Sequence, residues 1–211
     1  MKRIAVIAAD GRSGREFVKR ALAAGHEVRA GIYGGSKFPE NGNLTLVPCD
    51  ATKIDEVRTL IGSSDVVVSM IGHGRKSPKR VQTEAIQIIC HVMHELGTER
   101  VISLTGTGVR YPGDIPSLVD RMANLAIHII DPHRVKDGIA HARYLENTTL
   151  KWTILRVLKL GNGSHEGRVK LSLTGPAELL TPRARVAQAA LQVIEEDTFI
   201  GQAPIISGIE K

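Results

Sequence analysis

The chain has 211 residues, 42% of them apolar, enough for one substantial core and too many for a disordered chain. Its formal charge is +6, yet the lysines and arginines are scattered, with Lys76-Ser77-Pro78-Lys79-Arg80 as the densest cluster, and only 3% of residues are aromatic. Nucleic-acid bases would find few rings to stack on, so nucleic acid is not expected as a partner, whereas small anions are.

Ile4 to Ala8 is a continuous apolar run, as expected of a strand buried on both faces. Arg15 to Ala24 has helical spacing, with Phe17, Val18, Ala21 and Leu22 on one face and Gly25 to end it. Val28 to Tyr33 and Leu44 to Val47 read as the second and third strands, and Ile54 to Ile61 as a short helix with Asp55 and Glu56 near its start. Asp65 to Gly72, "DVVVSMIG", is a fourth strand, and Val81 to Leu96 a long helix closed by Gly97. Arg100 to Gly108, "RVISLTGTG", and Lys151 to Leu160, "KWTILRVLKL", are the fifth and sixth strands. Between them lie helical stretches around Leu118–Ile130 and Val135–Leu145, separated by Asp131-Pro132-His133.

Strands alternating with helices predict a Rossmann-like, doubly wound α/β fold. A mainly parallel sheet would be flanked by helices, with residues 1–211 forming a single domain. Segments around 106–146 and 158–180 follow strand ends that face the ligand crevice of such a fold, so they are expected to build a substrate pocket. Within the second, Gly161 to Gly167 reads as a mobile, glycine-rich loop.

Cys49 and Cys90 form no CxxC pattern, which fits a reducing compartment. No apolar run reaches the length of a membrane span, and the first apolar run is too short for a signal peptide. The chain is therefore expected to be cytoplasmic, with no membrane partner, as a monomer or homodimer. His91 and His94 share a helix face, but no third ligand accompanies them and no metal is expected.

The turn "AADGRSG", Ala8 to Gly14, raises the central functional question. A dinucleotide turn needs a tight reversal, backbone amides close to a pyrophosphate, and close packing of the helix on the sheet. Gly11 and Gly14 keep the spacing for the last two, with Asp10, Arg12 and Ser13 as further contacts. Ala8 replaces a glycine, which is tolerable if its φ stays negative.

This turn resembles the "GATGxTG" turn of the atypical short-chain dehydrogenases, the NmrA-like NAD(P)H-binding family that includes flavin reductase/biliverdin-IXβ reductase. The likeness continues along nearly the whole chain. "PCDATKIDEV" resembles the family's "GDATD" segment, which implies that Asp50 and Ala51 lie near the adenine. "VVVSMIG" resembles its fourth strand, with Ile71 and Gly72 at the cofactor. "RVISLTGTGV" resembles its fifth. "KWTILRV" resembles "DWTIVRP", with Val157 in place of Pro and Leu158 near the carboxamide. "TPRARVAQAAL" resembles the "ISRADVA" helix start, with Arg185 in place of Asp.

No carboxylate ends the second strand to bind a ribose 2′-hydroxyl. Ser36 and Lys37, helped by Arg12, could hold a 2′-phosphate and Tyr33 could stack on the adenine. NADP(H) is therefore favoured over NAD(H), although Tyr33 stands where relatives often have Arg. The Tyr-x-x-x-Lys pattern occurs at Tyr33 and Lys37, in the wrong place and across Gly34-Gly35. The dyad that protonates an alkoxide is thus absent. Hydride transfer to a flavin, quinone or similar conjugated small-molecule acceptor does not need it. The family's Ser after the fifth strand is replaced by Gly106, leaving Thr105 and Thr107 as candidate catalytic hydroxyls. A non-catalytic NAD(P) sensor of NmrA type is the alternative, and a sugar-nucleotide epimerase the third.

Overall fold

The computed structural model describes residues 1–35, 38–74 and 77–210. In chain order the elements are β1 Arg3–Ile7, α1 Arg12–Ala23, β2 Glu27–Ile32, β3 Leu44–Pro48, α2 Ile54–Ile61, β4 Val66–Ser69, α3 Val81–Leu96 and β5 Arg100–Gly106. There follow α4 Leu118–Ile130, α5 Pro132–Glu146, β6 Lys151–Val157, β7 Leu160–Gly161, β8 Val169–Ser172, β9 Thr181–Pro182, α6 Arg183–Glu195 and β10 Ile205–Ile209.

Eight strands form one sheet in the order β3-β2-β1-β4-β5-β6-β10-β8. All neighbours are parallel except β8, which runs antiparallel to β10. The chain winds outward from β1 in both directions. The crevice between β1 and β4 is therefore the topological switch point, where ligands bind outside the carboxyl ends of the strands. The fold is a single Rossmann-like α/β domain.

Period-two alternation in the strands divides the core between the two faces. Ile4, Val6, Val28, Ala30, Val68, Ile102 and Leu155 pack against Phe17, Val18 and Ala21 of α1 and Val186, Ala190 and Ile194 of α6. Ala5, Ile7, Val67, Val101 and Ile154 pack against Val57 and Leu60 of α2, Ile86, Ile89 and Met93 of α3, and Leu145 of α5. Aliphatic side chains dominate both faces, as the scarcity of aromatics implies.

Helix starts are built from several sources. Asp131 caps α5, accepting from the Arg134 amide at 3.2 Å, and Pro132 follows at the first helical position. Asp137 of α5 caps a different helix: its carboxylate accepts from the Gln82 and Thr83 amides of α3 at 2.9 and 3.0 Å. Ser117 caps α4. That helix buries only Asp120 and leaves Leu118, Met122, Leu125 and Ile129 exposed along one face.

Gly161–Gly167, expected as a glycine-rich loop, is an irregular and mostly exposed connection that is anchored at His165. Arg185 Nε donates to His165 Nδ1 at 3.1 Å, and Arg20 donates to the His165 carbonyl at 2.6 Å, leaving His165 5% exposed. The following residues form β8, which pairs with β10. Nothing in the local composition signals this, because the partner strand lies more than thirty residues away.

Arg156 is the largest fully buried side chain, in the middle of an apolar strand. It forms a two-pronged pair with Asp114 at 2.6 and 2.9 Å, donates to the Ala203, Val109 and Leu173 carbonyls, and lies 4.7 Å from the Tyr111 ring centroid. Burial would raise the Asp114 carboxyl, but the Arg156 guanidinium and the Tyr111 amide outweigh it and hold Asp114 below the usual carboxylate range. One side chain thereby ties the segment after β5 to β6 and to the turn after β8. Asp114→Asn would leave the guanidinium buried without a counter-charge, at a cost of about 3 kcal/mol or more. Denaturant unfolding should register that loss, and a loss under about 1 kcal/mol would mean that water compensates the charge.

Candidate functional site

Ala8 leaves β1 in the left-handed region, at φ +57°. This corrects the expectation of a negative φ. The turn is so tight that the Gly11 amide donates back to the Ala8 carbonyl at 3.1 Å, while the Ala9 amide reaches the Gly31 carbonyl at 3.0 Å. An alanine in this conformation costs about 1–2 kcal/mol. Gly14 is required by packing: a Cβ there would run into the Ala8 carbonyl oxygen and the Ala9 backbone. Helix α1 therefore starts against the strand end. Its N-cap, Gly11, has no side chain to accept a hydrogen bond. The first-turn amides of Arg12, Ser13 and Gly14 are left for a ligand or water.

Asp10 is brought to the end of β2. Its Oδ2 accepts from the Tyr33 and Gly34 amides at 3.2 and 2.9 Å. The strand end that lacks its own carboxylate receives one from the neighbouring turn. Tyr33 is 77% exposed, and its ring is free to meet a flat ligand. Ser36 and Lys37, proposed for a 2′-phosphate, lie outside the described residues. Arg183, at the start of α6, has its pKa lowered chiefly by burial and further by the charge of Arg12.

The remaining predicted contacts lie along the same carboxyl edge, in the order of the strands. Asp50 follows β3, where its carboxylate accepts from the Thr52 amide and hydroxyl at 2.9 and 2.7 Å, and Ala51 is half-buried beside it. The Thr52 hydroxyl chiefly accounts for the lowered pKa of Asp50. Ile71 and Gly72 follow β4, with the Ile71 carbonyl fixed by Gln82 Nε2 at 3.0 Å. Leu158 follows β6 and is half-buried. All these positions thus lie along the carboxyl edge of the sheet, with the glycine turn near its middle.

Thr105 and Thr107 are both buried. Thr107 Oγ1 donates to Asp120 at 3.0 Å and accepts from Asn124 at 3.1 Å, and Arg110 closes the cluster by pairing with Asp120 at 2.9 Å. Its hydroxyl is committed to anchoring α4. The Thr105 side chain stands over Gly138 of α5, where any Cβ would meet its oxygen at 2.8 Å.

Several groups near the crevice are visible only in three dimensions. His73, beyond β4, has Nε2 3.0 Å from an Asp137 oxygen. His141 is 1% exposed, with Nε2 2.8 Å from Ser103 Oγ on β5. Arg183 donates to the Gly161 carbonyl and Asn162 Oδ1, both at 2.8 Å. The i, i+4 spacing of Asp137 and His141 gives no hint that they serve different neighbours. His91 pairs with Glu95 at 3.2 Å on the surface of α3. Cys49 and Cys90 are buried, and burial is the chief reason that their thiols are pushed up to about 12. No helix among the described residues is long and apolar enough to cross a membrane.

The fold and this turn define the class of dinucleotide-binding α/β domains. The sequence matches the model of the NAD(P)H-binding family over residues 8–197, and the chain belongs to that family. An oxidoreductase from Lactococcus lactis is 17% identical, with a TM-score of 0.83 over 99% of this chain and 92% of its own. A short-chain dehydrogenase/reductase from Veillonella parvula, solved in complex with NADP, is 15% identical at a TM-score of 0.81, covering 98% and 94%. A proposed NADH-flavin reductase from Streptococcus pneumoniae is 18% identical at 0.77, covering 99% and 100%. At these identities the likeness is one of fold.

Two stability predictions follow from this geometry. Ala8→Gly exchanges left-handed strain for greater unfolded-state entropy and should stabilise the protein by up to about 1 kcal/mol, about 2–4 °C in the thermal midpoint. A fall would show that the Ala8 methyl contributes more packing than strain.

The second concerns His141, whose pKa burial lowers to about 4 against a weaker opposing field from Asp137. The unfolded imidazole takes up its proton near pH 6.5 and the folded one resists, so stability is full above that value. It falls as the pH drops toward 4, by about 2 kcal/mol at pH 5 from this group alone. His141→Gln should shrink the stability difference between pH 7.5 and 5 by that amount, and an unchanged difference would remove His141 as its source.

Proposed function

We propose that the protein is an NAD(P)H-dependent oxidoreductase that passes hydride to a flavin, quinone or similar conjugated small-molecule acceptor. The observation that carries this reading is the turn at the switch point. Gly14 seats α1 directly on the end of β1, and three uncapped amides face the position of a dinucleotide pyrophosphate. A bound coenzyme would supply the hydride. The residues here would bind its phosphates at Gly11–Gly14, meet the adenine at Tyr33, Asp50 and Ala51, and line the reacting end with Ile71, Gly72, Thr105 and Leu158.

Acceptor chemistry is inferred from the groups near β5. The Tyr-x-x-x-Lys pattern occurs only at Tyr33 and Lys37, away from β5, and Thr107 is occupied with Asp120 and Asn124. Thr105 is the remaining candidate for a catalytic hydroxyl. A conjugated acceptor stabilises its own added charge and makes the smallest demand on such a site. The exposed apolar face of α4, anchored beside the β5 turn, suits a flat and largely apolar molecule.

NADP(H) is assigned over NAD(H) on Ser36 and Lys37. Asp10 opposes that preference, because a carboxylate at the end of β2 suits a ribose hydroxyl and repels a phosphate. The expected discrimination is therefore small, within about tenfold. A cytoplasmic location accords with the two unpaired cysteines. The second reading, a non-catalytic NAD(P) sensor, draws on the commitment of the Thr107 hydroxyl to α4.

Gly11→Asp gives a direct test. Gly11 has φ −68° and ψ 162°, which suits an aspartate N-cap, and its Cβ would come 3.1 Å from the Ala8 carbonyl oxygen, so the variant should fold with α1 capped after a small shift of the turn. The added carboxylate takes the amides and repels the pyrophosphate. Calorimetric titration should show the wild type binding both coenzymes and the variant weakened at least about tenfold. Coenzyme binding with no turnover of any flavin or quinone would favour the sensor. Undiminished binding by the variant would remove the coenzyme from this turn.

A further inference from the structure

Helix α4 buries a single residue, Asp120, and packs chiefly on α5. Asp120 and Asn124 fix one side of the helix to Thr107. Its large apolar side chains are elsewhere: Leu118, Met122, Leu125 and Ile129 are 73, 64, 64 and 74% exposed. At about 100° per residue these four fall within a stripe about 60° wide, and Asp120 lies on the opposite side of the helix. The stripe therefore points away from the domain. An acceptor near the β5 turn would meet the first turn of α4, where Asp120 holds Thr107, and would leave the later turns bare.

The intervals along the stripe are four, three and four residues, the spacing of a coiled-coil seam. This order reads the same in both directions. A second α4 laid antiparallel across a twofold axis would set Leu118 on Ile129 and Met122 on Leu125, each layer occurring twice, as a self-complementary interface requires. One flank of the stripe carries Val119, Ala126 and Ile130, and the other Arg121 and His128. The partner helix can lean on the apolar flank while the cationic flank stays in water. A lipid-binding helix is edged by several lysines or arginines, whereas Arg121 is the one such residue in α4.

The area is also that of a dimer contact. The stripe with Val119 and Ile130 comprises six side chains exposed by 50 to 79%. At on the order of 100 Å² of apolar surface for each free side chain, one copy leaves roughly 400 Å² bare and two would remove roughly 800 Å² from water. Homodimer interfaces are about 65% apolar, so the whole contact would reach roughly 1,200 Å², the lower bound of stable interfaces.

We propose that the protein forms a twofold homodimer in which α4 packs antiparallel against α4 of a second copy. Of the two states expected from the sequence, monomer and homodimer, this selects the second. The proposal does not depend on the coenzyme or the acceptor.

Sedimentation equilibrium of the wild type at about 100 μM should give twice the 22.8 kDa of one chain, with the average mass falling on dilution because an interface of this size is weak. Met122→Lys and Leu125→Glu should each give the monomer, because each would bury an unpaired charge beside the axis. Both positions are exposed in the single chain, so the variants should keep the wild-type circular dichroism. Mixed in equal amounts, the two variants should form a heterodimer. The new lysine of one then faces the new glutamate of the other, while Leu125 and Met122 still meet in the second layer.

A monomeric wild type at that concentration would overturn the proposal, and its flotation with vesicles of phosphatidylcholine and phosphatidylserine would give the stripe to a lipid surface instead. Single variants that remain dimeric would overturn it by moving the interface off α4. A mixture that stays monomeric would overturn the antiparallel register.

Discussion

The absence of a side chain at residue 14 is the constraint on which the crevice depends. Helix α1 comes so close to the end of β1 that its third residue lies against the carbonyl of Ala8 and the backbone of Ala9. Only this contact allows the amides of the first turn to open at the carboxyl edge of the sheet. The rest of the turn is adjusted to it, at the cost of placing an alanine in the left-handed region. Asp10 then uses the same compact turn to brace the end of β2. A local rule is broken at Ala8, and the break coincides with the candidate functional site.

The other half of the crevice is organised by buried polar groups. Arg156 and Asp114 hold the segment after β5 against β6, while Thr107, Asp120, Asn124 and Arg110 hold α4. A paired charge in an apolar sheet adds little net stability compared with a hydrophobic side chain, but breaking the pair is costly. Such interactions specify one arrangement of a polar segment that has no apolar face to guide it. Asp137 works in the same way, linking α5 to the start of α3 and standing beside His73.

The first six strands and five helices were legible because each carries its own pattern. Four buried residues in a row at β4, or helical spacing from Phe17 to Ala21, reflect burial that holds for any neighbour of the right polarity. The glycine turn was legible for the same reason, since backbone approach leaves a glycine in the sequence. Beyond β6 the pattern failed. Strands β7 and β9 have two residues each, and β8 and β10 hold one another at the sheet edge. A charged residue inside the apolar run of β6 was the one visible sign of the buried network, and it did not name Asp114.

The sequence by itself determined the class of fold, the position of the glycine turn and the placement of its one Tyr-x-x-x-Lys pattern away from β5, because these depend on residues close together in the chain. Tertiary structure alone decided that Asp10 supplies a carboxylate to β2, that Thr107 is committed to α4, and that Arg156 pairs with Asp114. Each of these joins elements that meet only when the sheet is wound. Their energies depend on distance in space and on burial, neither of which is written in the local order of residues.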